Sequence, residues 1–169
     1  MARPPRRRRR ACQKLIAAPV SIQLTADDAK QSLSAHVAGK GAAIFAQYGP
    51  RLGWNELQRL LSDRAFVRYP CAIVFDATPL EPGECAFPKP VGDKPEDGFV
   101  LHLHPLFLTQ LDRVAPLVLY QLVVVNYGAF ASSDDAEIFG AAALGISREQ
   151  YYQDLCAAAD SLGLSTTKG

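Results

Sequence analysis

Residues 68–108 read RYPCAIVFDATPLEPGECAFPKPVGDKPEDGFVLHLHPLFL, and the fold turns on how this stretch is read. It holds seven of the twelve prolines, two of the four cysteines and two of the three histidines. Phe66–Phe75 has the pattern of a strand, with Pro70 marking where regular pairing begins, because proline cannot donate to a ladder. Cys71, Ile73 and Phe75 fall on one face, and Ala72, Val74 and Asp76 on the other. Both faces are apolar in the middle, which predicts a strand interior to its sheet. Pro79, Pro82-Gly83, Pro88, Pro90 and Pro95 punctuate the connection that follows, with a short strand expected at Glu84–Phe87. Asp97-Gly98 is a turn signal. Beyond it, Phe99–His104 reads as a strand, with Phe99, Leu101 and Leu103 opposite Val100, His102 and His104.

Downstream of Pro105 the pattern is helical. Pro116 suits the first turn of a helix running to Tyr127, and Gly128 suits its cap. Apolar residues surround this helix, so it is expected to be the buried central one. Ser133-Asp134-Asp135 opens a further helix ending at Leu144, and Ser147 caps a last one, Arg148–Leu162. Upstream, Thr25-x-x-Asp28 approximates a capping box for a helix through Leu33 and Val37, which Gly39 or Gly41 is expected to break before a second piece, Ala42–Tyr48. Trp54–Leu61 is amphipathic, with Trp54 as a core anchor. Leu15–Leu24 could make a short strand, with Val20, Ile22 and Leu24 on one face. The class read from this order is α+β: a small antiparallel sheet packed against helices, with an all-helical C-terminal half.

A chain of 169 residues, 49% hydrophobic, suffices for one domain with a substantial core, placed here at residues 14–164. The formal charge of +1 is uneven, because Arg3, Arg6, Arg7, Arg8, Arg9 and Arg10 supply six of the 18 basic residues against 17 acidic ones. Residues 1–13 are therefore expected to be a disordered basic tail on an acidic body. An acidic body is a poor nucleic-acid or membrane platform, so any polyanion binding would rest on those arginines. Cys12, Cys71, Cys85 and Cys156 include no C-x-x-C and are too sparse for a disulfide scaffold, which places the chain in the cytoplasm with reduced thiols, Cys71 and Cys156 in the core. The longest apolar run, Val114–Val125, falls short of the about 20 residues a membrane span needs. The arginine block before Leu15–Ala18 is only faintly like a targeting segment, since Pro19 and Gln23 interrupt it and no cleavage pattern follows.

The residues with most chemical promise are His102 and His104. Alternate side chains project from one face of a strand, so both imidazoles could reach one ion. Zinc needs three or four protein ligands, and non-haem iron two histidines and a carboxylate. Cys85, Asp76, Glu84 and Asp112 are candidates to complete either set, with Cys85 favouring Zn and a carboxylate allowing Fe. Glu84 is also the candidate base for a metal-bound water in a hydrolytic role. His102-Leu103-His104-Pro105 resembles the heart of the JAMM metalloprotease motif, H-[S/T]-H-P after a strand. Leu103 stands where that motif has a hydroxyl residue. Asp112 lies closer to His104 than the motif's aspartate, and Thr109 stands where its serine would fall. The resemblance covers four residues and implies metal ligands at a strand end.

Phe139–Leu155 has the outline of a helix-turn-helix, but its second helix carries Glu149, Asp154 and Asp160, and phosphate contacts come from Lys and Arg. A plain αα-hairpin turning at Gly145 is the better account. Two functions follow from the sequence: a metal-binding domain with a hydrolytic role, or a non-enzymatic interaction module. In the second, the helical half binds a protein partner and the arginine tail binds nucleic acid or another polyanion.

Overall fold

The computed structural model describes residues 25–165. The arginine block, Cys12, the strand expected at Leu15–Leu24 and the last four residues lie outside the described residues. The class is α+β: five helices and a three-stranded sheet among the described residues, with the C-terminal half helical.

Helix α1, Ala26–Tyr48, starts at a full capping box: the Thr25 hydroxyl accepts from the Asp28 amide at 3.1 Å, and the Asp28 carboxylate accepts from the Thr25 amide at 3.0 Å. It runs unbroken through Gly39 and Gly41, where the sequence suggested a break. Gly41 has a packing reason to be there. A Cβ on it would lie 2.6 Å from the Phe139 carbonyl oxygen and 2.7 Å from Ala142 Cβ, both on α4, so the missing side chain lets the two helices meet backbone to backbone. Gly39, two residues away, faces open space. Helix α2, Trp54–Leu61, buries Leu57, Leu60 and Leu61. Trp54 is half-buried and leans on Phe75, ring centroids 5.9 Å apart.

The sheet contains β1 (Cys71–Phe75), β2 (Ala86–Pro90) and β3 (Phe99–Leu103), in the order β1-β3-β2. It is mixed where an antiparallel one was expected: β2 and β3 are antiparallel, and β1 joins β3 in parallel. The interior strand is β3, not β1. Leu101 and Leu103 are fully buried, whereas Ala72 and Val74 on the outer face of β1 are exposed, so an apolar face read as burial is in fact solvated. Regular pairing starts at Cys71, directly after Pro70, as expected. Ahead of it Phe66 and Val67 turn on Asp63 rather than extending, each amide donating to the Asp63 carbonyl. The β2–β3 bonds run from the Val91 amide to the Gly98 carbonyl and from the His104 amide to the Cys85 carbonyl, which sets the parity of β2. Its odd-numbered residues face β3, so Pro88 and Pro90 carry their missing N–H on the outer edge. Gln121 donates to the Ala86 carbonyl on that edge at 3.3 Å.

Helix α3, Val114–Tyr127, is the core. Val114, Ala115, Leu117, Val118, Leu119, Leu122, Val123 and Val125 are buried, and the stripe through Tyr120, Val124 and Tyr127 is left partly open. The apolar stretch Leu111–Phe130 is long enough to cross a membrane by length and composition, a test that a core helix also passes, and half of it is buried here. Buried Asn126 spends its polarity on the chain beside it, accepting from the Arg68 amide at 2.9 Å and donating to the Phe66 carbonyl at 2.8 Å.

Helices α4 (Ser133–Leu144) and α5 (Arg148–Ser165) form the expected hairpin, with Gly145 left-handed at the turn (φ +66°). Tyr151 fills the angle between them: its hydroxyl donates to the Pro116 carbonyl at 2.7 Å, and its ring occupies the space a Cβ on Gly140 would need. Asp135, 1% exposed, ties α1 to the start of α4 by accepting from the Ser34 hydroxyl at 2.7 Å and from the Ser132 amide and hydroxyl at 2.9 Å each. Burial works against its charge, but these hydrogen bonds outweigh it and hold the carboxyl below its ordinary range.

The two glycines of α1 separate packing from propensity. Gly41→Ala should destabilise the chain by about 1–3 kcal/mol, because the obstructing atoms are backbone and Cβ. Gly39→Ala should stabilise by up to about 1 kcal/mol through helix propensity alone. Urea unfolding of the two variants, read as opposite shifts in midpoint, checks this.

Candidate functional site

Of the six residues marked by the sequence, Asp112 is exposed on the turn Leu111–Arg113, apart from the rest, and the other five separate into two places. His102, central in β3, stands between Val74 and Phe87 in register. Its side chain is 13% exposed, and its Nδ1 is buried without a hydrogen-bond partner. Asp76 Oδ2 lies 3.8 Å from it, too far for a hydrogen bond. Asp76 is occupied locally: its Oδ1 accepts from the Thr78 hydroxyl at 2.6 Å and the Thr78 amide at 2.9 Å, and these bonds lower its pKa.

His104 lies just past β3, and its Nδ1 accepts from the Leu106 amide at 3.1 Å, capping the 3-10 turn Pro105–Thr109. The strand-end geometry that suggested a second metal ligand has thus given one ring nitrogen to the backbone. Glu84 and Cys85 form part of the wall of a cleft that His102, His104 and Asp76 do not line. Burial, then the Glu84 charge, raises the Cys85 thiol. Among the described residues, no three His, Cys, Asp or Glu side chains are grouped as a metal ion would require.

Cys71 and Cys156, expected in the core, are both half-buried. Cys71 packs against the core and burial pushes its thiol up to about 11, which leaves it protonated and unreactive at neutral pH. Cys156 lines the same cleft as Glu84 and Cys85, a volume of about 340 Å³ closed by Leu117, Tyr120 and Gln121 of α3, Glu137 of α4 and Tyr152 of α5.

A larger concavity lies elsewhere. A groove of about 940 Å³ runs between β2–β3 and the C-terminal end of α3, with Tyr69, Phe87, Pro90, Phe99, Val124 and Phe130 among its lining residues. Phe130 is 92% exposed and Val124 41%, so the groove has an apolar rim as well as an apolar floor. At one end the Arg68 guanidinium sits over the Tyr69 ring, 5.5 Å from its centroid, and its charge also reaches the Tyr127 phenol. Among the described residues, Arg68 has no ion-pair partner. Sequence reasoning missed this groove. Its residues come from separate elements, and it is the exposure of Phe130, Val124 and Phe87 that distinguishes them from core residues. The one available signal was Phe130 after the Gly128 helix stop, a large apolar side chain where a cap leads into a turn.

Comparison with family models, curated proteins and solved structures finds no match for this chain.

If His104 acts as a cap, its loss should read in stability. His104→Ala should cost about 0.5–1.5 kcal/mol, one hydrogen bond's worth, and His104→Asn, which keeps an acceptor, should recover part of it. Thermal or urea denaturation of both variants decides the point.

Proposed function

We propose that this chain is a non-enzymatic interaction module whose helical half, with the adjoining strands, takes an apolar segment of a protein partner. The reading rests on one observation, the apolar groove with Phe130 standing almost fully exposed at its rim. Large exposed apolar patches bordered by polar groups mark interaction sites. Aromatic residues clustered around such a patch supply the anchors that dominate binding energy. Arg68, held in place through Asn126 and carrying an unpaired charge at the groove's end, selects for a carboxylate in the bound segment. The favoured partner is thus an apolar peptide with an acidic residue beside its anchors. Pro88 and Pro90 deny it main-chain pairing with the β2 edge, so the contact is made by side chains.

Selection from a displayed peptide library against the full chain tests this. Enriched sequences should pair apolar anchors with Asp or Glu, and bind Phe130→Lys about tenfold or more weakly. Phe130 is exposed, so that variant should fold normally. Arg68→Glu should weaken acidic sequences more than neutral ones. The reading is wrong if no sequence is enriched, or if the enriched ones ignore both substitutions.

A second reading, a zinc or iron site on His102, draws on its buried and unpartnered Nδ1 facing Asp76. Such a site needs at least one ligand beyond these two, and His104 could offer only Nε2. Elemental analysis of protein equilibrated with zinc and with iron(II), beside His102→Ala, tests it. Near-stoichiometric metal present only in the parent chain is the expected result, and a metal-free parent ends this reading.

A further inference from the structure

The cleft of about 340 Å³ that contains Glu84 and Cys85 shares none of the anchors of the apolar groove, and its lining differs in kind. Two tyrosines, Tyr120 and Tyr152, and two acidic residues, Glu84 and Glu137, line it, with Leu117 and Leu155 adding apolar surface. Among the described residues, no lysine, arginine or histidine lines it. We propose that this cleft binds a small organic ammonium ion, its charge set against the carboxylates and its alkyl groups against the tyrosine rings.

Three features carry the assignment. The first is electrostatic. Glu137 accepts from Arg148 Nε at 2.7 Å, but the same guanidinium also binds Asp134, so one cation serves two carboxylates on that wall and Glu84 adds a third negative charge. Burial raises the Tyr120 phenol, and the charges of Glu137 and Asp134 raise it further, a sign of negative potential at the ring. The second is the aromatic pair. Tyrosine π-faces attract cations, and rings combined with carboxylates are the usual means of holding an ammonium group that cannot be fully hydrated. The third is size. The cleft lies at the small end of ligand pockets and matches a ligand of few heavy atoms. Glu84 is fixed for this role, because its Oε2 accepts from the Glu81 amide at 2.9 Å. Gln121 reaches the β2 edge from the cleft's floor and ties the wall bearing Glu84 to α3.

Choline chloride is the first probe, with 3,3-dimethylbutan-1-ol as its uncharged isostere and sodium chloride as the ionic control. In NMR titrations of the full chain, choline should shift the resonances of Tyr120 and Tyr152 with saturation in the millimolar range. The alcohol should bind about three- to tenfold more weakly, and sodium chloride should not reproduce the shifts. Glu84→Gln, which keeps an oxygen for the Glu81 amide, should lower choline affinity about threefold or more. Tyr152→Leu, at an exposed position that tolerates change, should do the same. Equal binding of choline and the alcohol would overturn the proposal, as would unshifted tyrosines or affinities indifferent to both substitutions. Neither the apolar-peptide selection nor the metal analysis depends on the result.

Discussion

Helix α3 turns most of its surface inward. Nine of its fourteen residues, from Val114 to Asn126, are buried, and the sheet, α2 and α4 are placed by the need to cover them, while Tyr120, Gln121, Val124 and Tyr127 face the two concavities. The sheet supplies Leu101 and Leu103, α2 supplies Leu57 and Leu60, and α4 supplies Phe139 and Ala143 to one continuous core. Burying so much of one helix requires close approach among the elements around it. It comes at Gly41, where α1 rides on the backbone of α4, and at Gly140, where the Tyr151 ring enters the space beside α4. The two buried polar side chains, Asn126 and Asp135, both bind neighbouring segments, and burial makes those bonds costly to lose.

The helices were legible because their signals are local. Thr25 and Ser147 cap where a hydroxyl oxygen can accept from the amide three residues on, Ser132 does the same one residue ahead of the expected Ser133 start, and Gly128 and Gly145 adopt the positive φ that ends a helix. The sheet was only half legible. Periodicity placed all three strands to within a few residues and assigned the faces of β3 correctly. It could not tell that Ala72 and Val74 face water, since apolar side chains on an uncovered face look the same in sequence as on a covered one. Nor could it order the strands, because inserting β3 between β1 and β2 depends on a connection whose path no local pattern encodes. The break expected in α1 failed for a related reason: glycine's helix penalty is small beside the packing that Gly41 makes available.

The metal ligands expected from the sequence do not form one constellation. His102 lies 3.8 Å from Asp76, while Glu84 and Cys85 line a cleft apart from them. The pleat of β3 and the wall of the cleft divide them between two environments, and His104 caps a turn. Spacing along a strand promises a shared face, but it does not promise that an imidazole is unspent. The apolar groove had no spacing to betray it at all, since its aromatic residues are drawn from positions 69 to 130 across four connections.

The parity of β2 reaches past this molecule. Of the residues whose backbone points away from the sheet on that side, Pro88 and Pro90 have no hydrogen to donate, and the carbonyl of Ala86 already serves Gln121. A strand arriving there would find no ladder to continue. On the opposite side the amides of Cys71, Ile73 and Phe75 point outward from β1, since its even-numbered residues hold the bonds to β3. The sheet is therefore a one-ended template. If crowding or partial unfolding ever drives copies of this chain into fibrils, growth has to start from β1.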